Sequence, residues 1–279
     1  MVHAQNDLLK KLETQYPDTT FTTQATFKTT RIAIGHSVET RKQGTFQFSV
    51  MTRYWDNFST RGNAFIVDKM TARFGADYAF TNKFTTGIGY STLDGIADAF
   101  VKYRLLTQTQ NNTAPVSITA VQMAAYRTKN FNNVMLDDSF LDRTAFTTQL
   151  LIARKFTQKL SLQIAPTFVH RSSSQSPLDD TNHFALGFGA RYKLGNHTSI
   201  VSEYYYLLNE LDSRNTFGAF AMGVNWEMGD LILQFKLTNA RHFAVDTFIT
   251  QTPFNFNFKQ GYPVFGFNVN YILHTKKKK

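Results

Sequence analysis

Alternation of apolar and polar residues runs through most of this sequence from residue 43 onward. In residues 68–80, Met70, Phe74 and other apolar residues occupy even positions, whereas Arg73 and Asp77 occupy odd ones. Successive side chains of a β-strand point to opposite faces of the sheet, so a period of two predicts a strand, whereas a helix repeats about every 3.6 residues. The chain is therefore predicted to consist mainly of strands, each with one apolar and one polar face.

Twelve segments carry this pattern, and most are 10 to 14 residues long: residues 43–55, 68–80, 83–92, 96–107, 115–128, 143–156, 159–171, 182–194, 198–208, 217–227, 231–240 and 262–273. A strand that crosses a membrane at a tilt needs about 9 to 11 residues, whereas strands of soluble proteins average about five or six. A soluble β-sandwich would explain the alternation but not these lengths. The sequence therefore predicts an all-β fold, a transmembrane antiparallel β-barrel of about 12 strands.

The connections between the predicted strands alternate in length, with one short exception at 93–95. Short turns are expected at 81–82, 157–158, 195–197 and 228–230, and longer loops at 56–67, 129–142, 172–181, 209–216 and 241–261. Outer-membrane barrels have short periplasmic turns, longer extracellular loops and an even number of strands. We therefore expect a bacterial outer-membrane location with both termini periplasmic, and residues 241–261 as an exposed extracellular loop.

The composition excludes several other classes. Cysteine is absent, which removes disulfide frameworks, thiol catalysis and Cys-based zinc sites. The mean hydropathy of −0.29 excludes a bundle of transmembrane helices. The net charge is +10, but without a basic helix or a nucleic-acid-binding module nucleic acid is not an expected partner. The seven histidines are scattered without metal-ligand spacing, and no cofactor is expected.

The chain divides into four segments. Residues 1–5 are interpreted as a signal-peptide remnant or a late start of the chain. Residues 6–42 are expected to hold the helix Asp7–Gln15, followed by a periplasmic or plug segment. Residues 43–274 form the barrel, and residues 275–279 are a basic tail.

The polar stretch Gly35–Arg41 directly precedes the first strand. It lies either at the periplasmic mouth or inside the lumen, where it would plug the pore or dock a partner. A simple turn that saturates its own backbone groups before the first strand is the interpretation that we favour. The apolar face formed by Leu8, Leu9 and Leu12 is a candidate contact for another envelope protein, or a further plug.

Six stretches carry a family resemblance: Thr26–Ile32, Gly35–Thr40, Gln149–Phe156, Pro166–Arg171, Phe184–Gly187 and Glu203–Tyr206. They resemble an uncharacterised β-barrel family of the Bacteroidota, catalogued only as a domain of unknown function. The resemblance spans nearly the whole chain and implies a Gram-negative outer membrane, hence outer-membrane lipid and lipopolysaccharide as surroundings. It implies no activity.

Ten charged residues are predicted to line the lumen: Arg53, Arg73, Asp77, Asp98, Lys102, Arg104, Arg191, Lys193, Glu203 and Lys236. They are mostly basic, so a water-filled lumen would prefer anions. A twelve-stranded barrel is narrow, and its side chains can instead neutralise one another and fill it. We expect Arg73 to pair with Asp77, and Lys102 or Arg104 to pair with Asp98.

The strongest catalytic candidate is a serine two residues after a histidine at the end of a strand, His170 and Ser172, with Asn182 on the next strand. The arrangement is similar to the outer-membrane phospholipase, a twelve-stranded barrel whose His and Ser face the bilayer and whose Asn orients the His. Ser172 would be the nucleophile and His170 the base. Because the serine begins an ordinary serine-rich loop, we expect no enzyme here but a narrow pore or a barrel subunit of a larger envelope complex.

Overall fold

The computed structural model describes residues 21–56, 68–129, 139–173, 176, 178–257 and 263–275. Within these residues, twelve strands form one closed antiparallel barrel: β1 Thr45–Trp55, β2 Lys69–Ala79, β3 Phe84–Ser91, β4 Ile96–Leu106, β5 Ser117–Arg127, β6 Thr144–Lys155, β7 Leu160–Arg171, β8 Asn182–Lys193, β9 Thr198–Leu207, β10 Ala219–Met228, β11 Leu231–Thr238 and β12 Val264–His274. The predicted fold class is confirmed. The predicted helix Asp7–Gln15, the segment 1–5 and most of the basic tail lie outside the described residues.

The barrel closes between its first and last strands. β1 and β12 pair from Thr45 opposite His274 to Tyr54 opposite Phe265. All the remaining pairs join strands that are consecutive in the sequence. Each connection therefore lies at one of the two ends of the barrel. We call these the short-turn end, where β2–β3, β4–β5, β6–β7, β8–β9 and β10–β11 are joined, and the long-connection end, where the other connections, among them β5–β6 and β11–β12, lie.

The alternation of the sequence corresponds directly to an outer and an inner face. On β1, Phe48 and Val50 point outward with 45% and 40% of their surface exposed, whereas Gln47 and Arg53 point inward and are 2% and 1% exposed. The same alternation holds along other strands, including β2, β7, β8 and β11. An apolar exterior around a polar interior is the reverse of a soluble protein and matches a barrel that sits in lipid.

A short helix, α1 Val245–Thr250, lies in the connection between β11 and β12. All six of its residues are buried, and it contacts β6 and β9. The prediction that residues 241–261 form an exposed loop is therefore wrong for this part of the connection, because its apolar side chains pack inside the barrel. None of the described helices is long and apolar enough to cross a membrane.

The chain before β1 also enters the barrel. Residues 32–38 are all buried, and Ile32, Ile34 and Val38 belong to an apolar cluster that also contains Tyr205 of the wall. Three residues of α1, Val245, Phe248 and Ile249, belong to the same cluster. We call residues 26–41 the plug. The preferred interpretation of Gly35–Arg41 as a simple turn at the mouth is therefore wrong, since this stretch fills the lumen.

Candidate functional site: the plugged lumen

Glu203 of β9 holds the tip of the plug. One of its carboxylate oxygens accepts hydrogen bonds from the backbone N–H groups of Ala33, Ile34 and Gly35, at 2.7, 2.5 and 3.1 Å. Three successive N–H groups that converge on one point form a small anion-binding concavity. Here the anion is a side chain of the barrel itself, so Glu203, which was predicted to line the lumen, binds the plug.

Lys102 of β4 makes the complementary contact with backbone carbonyl groups. Its Nζ donates to the carbonyl oxygens of Thr30, Ser37 and Glu39 at 2.9, 2.9 and 3.1 Å. An ammonium group has three N–H donors, and all three are used. Lys102 therefore ties the two arms of the plug together on one side of the barrel.

Further wall residues bind the plug from other strands. Lys236 Nζ donates to the carbonyl oxygen of Ala33 at 2.7 Å, and Gln234 Nε2 donates to that of Ile32 at 2.6 Å. The side-chain amide of Gln163 accepts from the N–H group of Val38 at 2.7 Å and donates to the His36 carbonyl at 2.8 Å. The plug is thus bound along its length by charged and amide side chains from β4, β7, β9 and β11.

The ion pairs differ from those that the sequence predicted. Arg73 pairs with Asp98 and not with Asp77. Arg104 pairs with Glu39 of the plug at 2.9 Å, and Lys102 binds carbonyl groups, so neither reaches Asp98. The predicted pairs were wrong because they were drawn from residues of the barrel wall alone. The plug supplies partners for Asp77, Lys102 and Arg104.

Asp77 also faces the plug. Its carboxylate accepts a hydrogen bond from Thr30 Oγ1 at 3.0 Å, and Gln47 Nε2 lies 3.4 Å from the same oxygen. Gln47 in turn donates to Thr30 Oγ1 at 3.0 Å. The three residues form a buried polar cluster between β1, β2 and the plug.

The other half of the lumen is closed by the connection between β11 and β12. Arg53 donates to the carbonyl oxygens of Ala240, at 2.9 Å, and His242. Arg171 pairs with Asp246 of α1 at 2.9 Å. A cavity of about 10 Å³ lies where the plug meets this segment, and it has room for about one water molecule.

The remaining predicted lumen residues lie toward the short-turn end. Arg191 is buried, 3.7 Å from the Glu227 carboxylate, and Glu227 also pairs with Lys28 of the plug at 2.8 Å. Lys193 follows on the same inward-facing register at the end of β8. All ten predicted positions therefore lie on the inner face. The contacts described above join these side chains to other protein groups, and not to water in an open channel.

Several residues of the site were not singled out from the sequence. Gln163, Gln234 and Thr119 each bind the plug backbone, and Thr119 Oγ1 donates to the Val38 carbonyl at 2.7 Å. Their inward position was predictable from the alternation, but an uncharged side chain gave no signal of a specific role. Within the described residues, no cluster of acidic and histidine side chains could hold a metal ion.

The catalytic candidate lies on the outer face at the long-connection end. His170 Nδ1 is 2.8 Å from Asn182 Oδ1, and the two residues are directly opposite each other on β7 and β8. Ser172 lies just beyond the end of β7, and its backbone N–H donates to the Thr144 carbonyl. Among the described residues, the structure gives no hydrogen bond between Ser172 and His170. The contact that would orient His170 is therefore present. The contact between His170 and Ser172 that would activate the serine is not found among the described residues.

The fold is shared with solved porin structures. The chain aligns with the NanC porin in a rhombohedral crystal form at a TM-score of 0.52 and 7% identity, over 83% of this chain and 100% of that one. It aligns with the KdgM porin in complex with disordered oligogalacturonate at a TM-score of 0.51 and 9% identity, over 82% and 99% of the two chains. At such low identity these likenesses show the fold alone.

No curated protein matches the sequence. A protein family does match, over residues 27–273, a range that includes nearly all of the plug and the whole barrel to within one residue of the end of β12. The description of the family gives a membrane-bound barrel and no activity, so the expectation of an uncharacterised barrel family is confirmed. The chain belongs to the family described as membrane bound beta barrel domain (DUF5777).

Proposed function

We propose that this protein is a non-enzymatic outer-membrane barrel whose lumen is closed by its own N-terminal segment, and that it serves as the barrel subunit of a larger envelope complex. The observation that carries the proposal is the binding of the plug by Glu203, Lys102 and Lys236. A passive pore needs an open path for water. In this barrel the plug lies in that path, and charged wall residues hold it there.

The energetics favour a plug that stays in place. Hydrogen bonds to charged groups contribute about 1.5 to 3 kcal/mol each, and a buried charge left without a partner costs more. Withdrawal of the plug breaks the contacts of Glu203, Lys102 and Lys236 together. Spontaneous opening is therefore rare, and a partner that stabilises the withdrawn state is needed to open the lumen.

The proposal assigns the short-turn end to the periplasm, as in outer-membrane barrels. The chain leaves the barrel at this end, because Thr23 N–H donates to the Gln108 carbonyl in the connection between β4 and β5, and Phe21 beside it is 68% exposed. Residues 1–20 precede this point in the chain. We place the contact with other envelope proteins on them.

Two measurements test the proposal. Planar-bilayer recordings of the purified full chain should show no steady conductance, whereas a passive pore would give steady channels with a modest anion preference. Purification from native membranes should recover a stoichiometric envelope protein that is lost when residues 1–20 are deleted. Steady channels in the intact chain, or a barrel that purifies alone in both forms, would contradict the proposal.

The alternative is an esterase at the outer face, similar to the outer-membrane phospholipase. The 2.8 Å contact between His170 and Asn182 favours it, because an orienter on one imidazole nitrogen leaves the other free to act as a base. The position of Ser172 disfavours it, since a nucleophile has to lie within hydrogen-bond reach of its base. We therefore propose that the protein is not an enzyme, with the esterase as the alternative.

A further inference from the structure

Two lysines lie directly opposite each other at the short-turn end of the barrel. The backbone N–H of Lys193 donates to the carbonyl oxygen of Lys159 at 2.9 Å, which continues the pairing of β7 with β8 by one residue beyond Leu160 and Tyr192. Lys193 is on the inward register of β8, two residues after the buried Arg191. Residues opposite each other in a sheet share a face, so the two lysines lie side by side at the mouth of the lumen.

This pair places two like charges together. The Cα atoms of such a hydrogen-bonded pair are about 5.5 Å apart, and like charges directly opposite each other destabilise a sheet. Within the part of the chain that the structure describes, the ammonium groups of Lys159 and Lys193 make no hydrogen bond or ion pair. A bound anion would relieve the repulsion between them.

Three further cations surround the point where the chain enters the barrel. Lys155 Nζ donates to the carbonyl oxygen of Gln24 at 3.0 Å, and Arg191 Nη1 donates to that of Ala25 at 3.4 Å. These two side chains therefore bind successive carbonyl groups of the entering chain, and Lys28 follows three residues later. We call the five cations the basic mouth: Lys28, Lys155, Lys159, Arg191 and Lys193.

The carboxylates at this end are already paired. Glu227 lies 2.8 Å from Lys28 Nζ and 3.7 Å from Arg191 Nη2. The other two carboxylates at this end that are described and not buried also have basic partners, in the pairs Glu39–Arg104 and Asp230–His274. Among the described residues, no carboxylate is therefore left for the three lysines on β6 to β8.

The two ends of the barrel differ in charge. Among the described residues of the long-connection end, carboxylates outnumber lysines and arginines, and Asp94 and Asp246 there pair with Arg127 and Arg171. The excess of positive charge therefore lies at the end where the N-terminal segment leaves the barrel. A surface of one sign steers a partner of the opposite sign toward it.

The charge of the basic mouth indicates a ligand with several negative groups. Five cations against the one carboxylate of Glu227 leave four positive charges. A single phosphate group carries at most about two negative charges, so it would leave part of this charge unpaired. Lipid headgroups fit less well, because Lys155, Arg191 and Lys193 are on the inward register of their strands, whereas lipid surrounds the outer wall.

We propose that the basic mouth binds an acidic segment, with several Asp or Glu residues close together, of the envelope protein that contacts residues 1–20. The inference rests on the proposed function, which places a partner at this end, and it adds the chemistry by which that partner is recognised. Gln24 and Ala25 lie within the basic mouth. A partner held by the residues just before them therefore approaches these cations directly.

The test is the binding of a short fluorescent peptide that alternates Glu and Gly, measured by fluorescence anisotropy on the full chain in detergent. The matched probe has Gln in place of each Glu. We expect the Glu peptide to bind with an affinity that falls as salt is added, because salt screens charges at the surface. The Gln peptide should not bind.

Lys159→Gln with Lys193→Gln removes the like-charge pair. The affinity for the Glu peptide should fall about tenfold. The variant should unfold in no less urea than the wild type, because a repulsion has been removed. Lys69→Gln with Lys129→Gln is the matched control, since it removes the same charge from two exposed lysines at the long-connection end. It should bind the Glu peptide like the wild type.

Three results would overturn the inference. One is binding of the Gln peptide as tight as that of the Glu peptide, and another is an equal loss of affinity in the two double variants. The third is a loss of retained phosphatidylglycerol, read by native mass spectrometry, in the Lys159 and Lys193 variant alone, since the pair would then bind lipid headgroups.

Recovery of the partner from native membranes separates this inference from the proposed function. The Lys159 and Lys193 variant should recover less of the partner than the control variant does. Equal recovery by both would overturn the inference and leave the proposed function standing. Recovery of no partner by the wild type would contradict the proposed function alone, because the affinity for the Glu peptide is measured without a partner.

Discussion

Arg73 and Asp98 form a two-point ion pair inside the barrel, with Arg73 Nε 2.8 Å from one carboxylate oxygen and Nη2 2.5 Å from the other. The two residues lie on β2 and β4, so the arginine reaches across the strand between them. Gly89 of β3 lies directly opposite Asp98 in the register. A Cβ atom at Gly89 would come within 2.1 Å of Arg73 Nη2, so only glycine leaves room for this pair.

Gly89→Ala should therefore destabilise the barrel. The added methyl group pushes the guanidinium away from Asp98, and breaking a buried ion pair typically costs about 3 to 5 kcal/mol. Because the obstructing atoms belong to a long side chain, part of this cost is relieved by movement of Arg73. We expect a loss of about 2 to 4 kcal/mol in urea unfolding in detergent.

Gly195→Ala provides the matched control for this measurement. Gly195 lies in the short turn between β8 and β9, and a Cβ atom there meets nothing within 4 Å. Its unfolding should be indistinguishable from that of the wild type. Equal effects of the two substitutions would show that the Arg73–Asp98 pair does not need the space at Gly89.

A second prediction concerns the hold of Glu203 on the plug. Since the chain contains no cysteine, a single Val38→Cys substitution introduces one thiol at a position that is 0% exposed. In a Glu203→Gln background the charge that binds three N–H groups is lost, and each charge-assisted bond contributes about 1.5 to 3 kcal/mol. Labelling of the introduced thiol by a water-soluble maleimide should therefore accelerate at least about tenfold.

Phe21→Cys is the reference for this experiment, because Phe21 is 68% exposed and precedes the plug. Its thiol should label rapidly whether or not Glu203 is present. If Glu203→Gln left the labelling of the Val38→Cys variant as slow as before, the carboxylate would not be what keeps the plug in the lumen.

The strands could be predicted from the sequence because each residue's face depends only on its neighbours in the chain. The outward Phe48 and inward Arg53 of β1 follow from a period of two. The plug has no such period, and its contacts are remote in sequence: Ile34 binds Glu203, 169 residues away. The same holds for α1, whose burial depends on a lumen that exists only once the barrel has closed.

A third prediction is a loss of docking of the β11–β12 connection at low pH. Burial lowers the pKa of the His242 imidazole from 6.5 to about 4, although Asp94 nearby acts in the opposite direction. Between pH 6.5 and about pH 4, His242 binds a proton when the segment is released but not when it is docked. Docking is therefore fully stable above pH 6.5 and loses up to about 3 kcal/mol as the pH falls to about 4.

Tryptophan fluorescence can follow this change. Arg241 lies over the ring of Trp55, with its Cζ 5.2 Å from the ring centroid, so Trp55 reports on the neighbourhood of His242. The chain has two tryptophans, and Trp226→Phe removes the other one, which is on the outer face. The emission should shift on acidification below pH 6.5, and His242→Gln should flatten that response. A shift of the same size in the glutamine variant would assign it to another group.

The last prediction is that His170 and Ser172 do not form an esterase. The Asn182 contact orients the imidazole, but a serine needs its base within about 2.6 to 3.2 Å before it becomes nucleophilic. Ser172 follows the last residue of β7 and starts a loop, which is a poor support for a preorganised site. Phospholipid release in detergent should therefore be at background for the wild type, for His170→Ala and for Ser172→Ala alike. Asn182→Ala is the informative addition, because a true orienter would lower any activity without abolishing it. Release that disappears with His170→Ala and Ser172→Ala, and falls partly with Asn182→Ala, would make the protein a lipid hydrolase.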